Sequence, residues 1–219
     1  MSSPLRVRSI LGNLSAGRSI TALLLAGSAL AWLFVVLAPG GMATGPIAFV
    51  AAWTVMMAAM MLPSAAPLVL LYRRGASSRS TAMLVAGYLV VWAAVGVPAY
   101  LAMEHLPMTL APAALAVAGI YQLTPLKTSC LRQCRTPADF LMQRWGGGAL
   151  RLGLEHGVWC LGCCWALMAV LVMAGMMGLA WVVGLAALVA VEKLSARGVL
   201  VSRLAGVGFL GAAIIEVIL

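Results

Sequence analysis

The sequence predicts an all-α integral membrane protein, a bundle of about seven transmembrane helices. Hydrophobic residues make up 64% of the 219 residues, and charged residues only 9%, against roughly 25% in an ordinary soluble domain. The charges also leave two long gaps. Between Arg18 and Arg73, 54 residues carry no charge, and between Glu155 and Glu192 another 36 carry none. At about 20 apolar residues per spanning helix, each gap holds two spans.

Taken in chain order, seven apolar runs predict helices over residues 20–37, 46–72, 81–103, 109–126, 151–175, 178–191 and 199–219. The first run ends at Pro39 and the glycines that follow it, and the second begins at Pro46, a residue that suits the first helical position. Residues 127–150 form a longer polar connection. The last run contains Arg203 and Glu216, so six spans with a re-entrant tail is the alternative. We expect residues 1–219 to form a single membrane domain.

The basic residues predict the orientation of these helices. When the segment 1–18 is cytoplasmic, all 14 Lys and Arg residues fall on the inner face, whereas the connections 38–45, 104–108 and 176–177 carry none. Cytoplasmic connections are enriched in Lys and Arg. We therefore expect an N-in, C-out protein of the inner (plasma) membrane, with the lipid bilayer as its partner. The basic residues that give the net charge of +9 lie between the apolar runs, and they form no continuous stripe of the kind that binds nucleic acid.

A cluster of metal-ligand residue types opens the fifth predicted helix. His156, Cys160 and Cys164 follow one another at intervals of four residues, and Cys163 lies beside Cys164. Residues four apart share one helix face. Imidazole and thiolate are ligands of Zn²⁺ and, as softness increases, of Cu(I). The alternative is that these cysteines only pack between helices.

A second cysteine pair, Cys130 and Cys134, lies in the predicted inner connection. Thiols on the cytoplasmic side stay reduced, so the pair is available to a metal. The nearby basic side chains of Lys127, Arg132 and Arg135 favour the thiolate form. The alternative is a basic helix on anionic lipid, in which the cysteines have no role.

A third feature is a methionine stripe in the second predicted helix, which includes Met60 and Met61. Pro63 removes a backbone hydrogen bond there, and the freed carbonyl needs another partner. Met60 and Cys163 each lie 12 residues from the inner end of their helix. A soft-ligand site shared by these two helices is therefore expected, with Met60 or Met61 completing it. Met as core filler is the alternative.

Three segments resemble a known family. They are WTVMMAAMMLPSAAP at 53–67, YQLTPLK at 121–127 followed by the cysteines at 130 and 134, and GLEHGVWCLGCCW at 153–165. Together they resemble the bacterial predicted metal-binding integral membrane proteins, a domain of unknown function. The resemblance spans roughly residues 53–193. It implies a helical membrane protein with a metal site, and it brings no established substrate or reaction.

Three functions remain open from the sequence. The leading one is a metal-binding membrane protein that handles copper(I), with zinc as the alternative metal, acting as a carrier, a loading factor or a sensor. The second is a membrane thiol-disulfide redox protein. The third is a non-catalytic subunit of a larger membrane complex or a homo-oligomer, since Gly206, Gly208 and Gly211 favour close helix packing. No catalytic motif is present, so we expect no enzyme activity.

The orientation can be tested directly with reporters that are active on one side of the membrane. A fusion after Gly75 or Gly147 should read cytoplasmic, and one after Gly41 should read external. The reason is that basic residues cluster in the segments that contain Gly75 and Gly147, whereas the connection that contains Gly41 has none. Paired phosphatase and fluorescent-protein fusions measure this. An external reading at Gly147 would contradict the inner placement of Cys130 and Cys134.

Overall fold

The chain is helical through most of its described length. A computed structural model describes residues 22, 26–37, 45–173 and 178–218, and within these residues no strand occurs, so the all-α prediction is confirmed. The helices within these ranges are α1 Ala26–Leu37, α2 Pro46–Gly75, α3 Ser78–His105, α4 Ala111–Leu123, α5 Pro125–Arg135, α6 Pro137–Arg144, α7 Ala149–Met173, α8 Leu179–Leu194 and α9 Gly198–Ile218.

The number of membrane-crossing helices differs from the sequence prediction. Among the described residues, α2, α3, α7 and α9 are long and apolar enough to cross a membrane, and α4 with α5 gives a fifth if this bent pair is one span. Helix α8 has only 16 residues. The count of seven is therefore not supported. The predicted span 20–37 lies partly outside the described residues. The segment 1–18, residues 38–44 and the connection 176–177 lie wholly outside them.

The predicted polar connection at 127–150 contains two helices, α5 and α6. Thr124 is extended (ψ 152°), and its side chain accepts a hydrogen bond from the backbone N–H of Lys127. A proline disfavours helical geometry in the residue before it, so Pro125 ends α4 and starts a new helix. The chain bends by 69° at this point. Helix α5 then packs against α7, which brings its cysteines to those of α7.

Glycines let α3 and α7 approach at backbone distance. A Cβ atom added at Gly153 would lie 2.0 Å from the carbonyl oxygen of Leu84, and one at Gly87 would lie 2.3 Å from that of Leu150. No side chain fits in either gap. Small residues at such contacts allow close van der Waals packing between membrane helices. This contact fixes the position of α7 relative to α3.

Helix α2 packs mainly against α3 and α8. Trp53 Nε1 donates a hydrogen bond to the carbonyl of Trp92 on α3 at 3.0 Å. Pro63 cannot donate to the carbonyl of Ala59 one turn earlier, and Ser28 Oγ of α1 donates to that carbonyl at 3.1 Å. The freed carbonyl thus finds the partner that the sequence requires, and it ties α1 to α2.

Helix α9 packs against α4 through one of its predicted glycines. A Cβ atom added at Gly206 would lie 2.9 Å from the carbonyl oxygen of Gly119, whereas Gly208 and Gly211 have no described atom within 4 Å of such a position. The prediction of close packing is confirmed for Gly206.

Replacing Gly153 with Ala should destabilise the bundle. The new methyl group would meet the backbone of Leu84, which cannot rotate away as a side chain can, so α3 and α7 must separate. Overpacking of this kind costs about 1–3 kcal/mol. The free energy of unfolding in mixed micelles measures it.

Gly208→Ala is the matched control on α9. Its added methyl group meets nothing within 4 Å, and Ala is a better helix former than Gly, so stability should stay equal or rise. Equal losses for Gly153→Ala and Gly208→Ala would contradict the close contact.

Candidate metal centre

Helix α7 presents three buried cysteines, and the half-buried Cys134 of α5 adjoins them. Cys160, Cys163 and Cys164 are each 1% exposed or less. The sulfur of Cys134 on α5 lies 3.9 Å from that of Cys163. The thiols of Cys163 and Cys164 both bond to the backbone carbonyl of Cys160. We call these four residues the thiol cluster.

Two members of the thiol cluster use their hydrogens locally. Cys163 Sγ donates to the carbonyl of Cys160 at 3.1 Å, and Cys164 Sγ donates to the same carbonyl at 2.8 Å. Both therefore lie in the apolar core with their S–H groups satisfied by the helix that carries them. Each sulfur becomes a thiolate, the form that binds a metal ion, only when its thiol loses this proton.

Cys160 has a different environment from the other thiols. Its sulfur lies 3.0 Å from the hydroxyl of Tyr88 on α3 and accepts a hydrogen bond from Lys193 Nζ of α8 at 2.9 Å. The Lys193 ammonium also donates to Ser64 Oγ at 3.4 Å and to Met61 Sδ at 3.8 Å. The sulfur of Cys160 is thus the meeting point of α3, α7 and α8, and Lys193 links it to α2.

The methionines predicted as completing ligands lie in the same core. Met60 and Met61 are both buried, and Met61 contacts Lys193. Helix α2 packs on α3 and α8 more than on α7. Lys193 therefore bridges Met61 and Cys160, and a site shared by Met60 and Cys163 stays a prediction.

His156 lies one helical turn before Cys160 and is only 3% exposed. Its ring packs between Tyr88, with centroids 5.8 Å apart, and Phe140 of α6, with centroids 5.2 Å apart. Nδ1 is buried and has no hydrogen-bond partner among the described residues. A buried polar atom without a partner is unusual in a native fold, and this nitrogen is free to bind a ligand.

Cys130 and Cys134 lie on the side of α5 that meets α7. A Cβ atom added at Gly162 would come within 2.9 Å of Cys130 Sγ, and the Tyr121 hydroxyl donates to the carbonyl of Gly162. The Tyr121 side chain of α4 thus bonds to α7. The missing side chain at Gly162 leaves the space that Cys130 occupies. Cys134, one helical turn further along α5, contacts Cys163.

The cations predicted to favour thiolate in this pair are engaged elsewhere. Lys127 binds Glu192, and Arg135 donates to the carbonyl of Ser195 at 2.6 Å. Both bonds lead to groups other than the thiols, and the effect of Lys127, Arg132 and Arg135 on Cys130 and Cys134 stays a prediction. The cation that meets the thiol cluster is Lys193, on α8.

Sequence reasoning missed a buried ionic network around Glu192. Lys127 Nζ donates to Glu192 Oε2 at 2.6 Å and to the carbonyl of Cys163, and Gln122 Nε2 donates to Glu192 Oε1 at 2.6 Å. Ser202 Oγ lies 3.1 Å from Gln122 Oε1. The available signal was the adjacent Glu192 and Lys193 at the end of an apolar run, which positive-inside counting assigns to the membrane surface.

The chemistry of this centre fits a soft metal ion. Among the described residues, no group of three or more His, Cys, Asp and Glu side chains is arranged to hold a metal ion. Pairs of sulfurs do adjoin, however. With metal–sulfur bonds of about 2.3 Å, two sulfurs on one ion lie at most about 4.6 Å apart, and Cys134 and Cys163 satisfy that limit at 3.9 Å.

Lys127→Met should destabilise the fold by about 3–5 kcal/mol, because it leaves the Glu192 carboxylate buried without its cation. Unfolding in mixed micelles measures the loss. The double variant Lys127→Met/Glu192→Leu should recover most of it, since removing both charges also removes the desolvation cost. A double variant as unstable as the sum of the two single variants would show that the pair is not coupled.

Comparison with known proteins places the chain in one family. Residues 50–216 match the family of PpoB2 copper chaperones, a range that contains the thiol cluster, His156, Met61 and Lys193. No curated protein and no solved structure matches the chain. The motif resemblance predicted a metal-binding membrane family, and the match supports its metal-related character; the particular family named there is not confirmed. A copper-handling family accounts for buried soft ligands in apolar helices, and the chain belongs to the PpoB2 copper chaperone family.

Proposed function

We propose that this chain is a multi-pass copper chaperone of the bacterial inner membrane, and that it holds Cu(I) between cysteine sulfurs of α5 and α7. The observation that carries the proposal is the 3.9 Å approach of Cys134 Sγ and Cys163 Sγ beside the buried sulfur of Cys160. Thiolate and thioether are soft ligands that select Cu(I). Membership of a copper chaperone family supports copper as the cargo.

The donor set favours Cu(I) over Zn²⁺, the alternative metal. A structural zinc site is a closed tetrahedron of four Cys or His ligands, and the described residues offer no group of three or more such donors in place. Cu(I) is stable with two or three soft ligands. A pair of thiolates, with a third sulfur nearby, is therefore sufficient for copper and insufficient for zinc.

Each candidate residue has a role in this proposal. Of Cys134, Cys160 and Cys163, two bind the ion as thiolates and the third stays a thiol beside them, and Cys164 is the neighbouring thiol available for exchange. His156 offers the unpartnered Nδ1 one turn from Cys160. Met61, with Met60 behind it, supplies thioether sulfur from α2.

Cys130 is proposed as the entry thiol. It lies one helical turn from Cys134 on α5, and its sulfur is close to Gly162, next to Cys163 in sequence. A metal ion bound first at Cys130 would pass to the cluster by exchange of one sulfur at a time. Delivery to a recipient protein, either a second copy or a membrane-complex partner, would use the same exchange in reverse.

The double variant Cys160→Ser/Cys163→Ser should lose stoichiometric copper, because hydroxyl is a poor ligand for Cu(I). Cys130→Ser is the matched control: it should slow copper loading more than it lowers final occupancy. Elemental analysis of protein purified without chelators measures occupancy, and transfer from a coloured Cu(I) complex measures the rate. Full copper retention in the double variant would sink the proposal.

A thiol-disulfide function is the second candidate, favoured by the same 3.9 Å contact. A disulfide needs the two sulfurs to approach to about 2.05 Å, and its formation releases two electrons and two protons to an oxidant. Copper-free protein that is purified with a Cys134–Cys163 disulfide would favour this function. Copper-loaded protein without a Cys134–Cys163 disulfide would exclude the thiol-disulfide function.

A further inference from the structure

The Lys193 side chain is a buried cation beside the thiol cluster. It is 6% exposed, and its nitrogen has three acceptors: Cys160 Sγ at 2.9 Å, Ser64 Oγ at 3.4 Å and Met61 Sδ at 3.8 Å. An ammonium group has three donors. Ser64 Oγ donates its own hydrogen to the carbonyl of Met61 at 2.8 Å, so its lone pairs are left for Lys193. The surroundings therefore match an –NH₃⁺ group.

No carboxylate balances this charge in the part of the chain that the structure describes. Glu192 is adjacent in sequence, but its two oxygens accept from Lys127 and Gln122. Consecutive residues on a helix do not face the same way. Lys193 forms no ion pair with any described Asp or Glu. Its nearest polar atom is the sulfur of Cys160.

Cys160 is the thiol best placed to carry the opposite charge. Its sulfur accepts from Lys193 at 2.9 Å and has the Tyr88 hydroxyl at 3.0 Å. Cys163 and Cys164 instead point their S–H groups at the Cys160 carbonyl. The Lys193 ammonium that donates to this sulfur stabilises a thiolate at that position, and a thiolate can only accept from the Tyr88 hydroxyl.

We infer that Lys193 is the fixed counter-charge of the copper centre, and that it makes the centre selective for a monovalent soft cation. This inference rests on the proposed function. Cu⁺ with two thiolates has a net charge of −1, which the ammonium cancels. A divalent ion with two thiolates is neutral, so the ammonium leaves a net charge of +1. Each thiol that binds loses its proton to water.

The selectivity follows from the cost of burying net charge. In a low-dielectric interior an uncompensated charge is strongly unfavourable, so the neutral assembly of Cu⁺, two thiolates and Lys193 is preferred to the charged assembly with a divalent ion. A role in packing alone does not require an ammonium, because an apolar side chain would fill the same space without the desolvation cost.

The test compares the affinities of the full-length protein for Cu(I) and Zn²⁺, each measured in detergent by competition with a coloured chelator. Lys193→Met removes the charge and keeps the length of the side chain. We expect the ratio of Cu(I) to Zn²⁺ affinity to fall on the order of tenfold to a hundredfold. Lys193→Arg keeps the charge and should keep the ratio close to that of the wild type.

A structural role predicts a different result. If Lys193 only supports packing, Lys193→Met lowers both affinities equally and leaves the ratio unchanged, and that outcome overturns the inference. If Lys193→Met does not fold, Lys193→Gln replaces it, since an amide can still bond Ser64 without a charge. Wild-type protein that binds no Cu(I), or binds it without the cysteines, overturns the proposed function. Thiol-dependent Cu(I) binding with an unchanged ratio overturns only the role of Lys193.

Discussion

Two adjacent charges at the end of α8 constrain the rest of the bundle. Glu192 and Lys193 are both buried, and a charge removed from water needs partners within hydrogen-bond reach. Glu192 obtains them from α4 and α5 through Gln122 and Lys127, and Lys193 from α2 and α7 through Ser64 and Cys160. Five helices thus meet at one short segment, and shifting any of them would leave a buried charge unpaired.

The thiol cluster depends on this constraint and on the glycine contact between α3 and α7. The contact brings Tyr88 to the sulfur of Cys160, because the backbones meet at Gly153. Lys127 pairs with Glu192 of α8 and donates to the carbonyl of Cys163 on α7. These bonds hold α5 along α7, and Cys134 then reaches Cys163. Packing and buried polar bonds therefore place soft donors from two helices side by side in the core.

A chaperone must hold its metal and also release it, and the centre is suited to both. Soft donors give affinity for copper, and the small number of sulfurs in direct contact leaves coordination positions for a recipient. In the proposed centre, the ammonium of Lys193, which bonds to Cys160 and to no described carboxylate, favours an anionic metal–thiolate group over neutral alternatives. Binding, selectivity and release then depend on one cluster and its cation.

Local features of the sequence were sufficient for the all-α fold, for the cysteines of α7 on a buried face and for Gly206 in a helix contact, since hydropathy and the 3.6-residue period act within one helix. The predicted count of seven spans is not supported among the described residues, because an apolar run of 16 residues such as α8 is shorter than a typical span. Tertiary structure alone decided that α5 folds back at Pro125, that Lys127 pairs with Glu192, and that Lys193 meets Cys160. The physical reason is that these contacts join distant helices. Lys193 and Met61 are 132 positions apart, and the sequence pattern of one helix does not indicate which other helix packs against it.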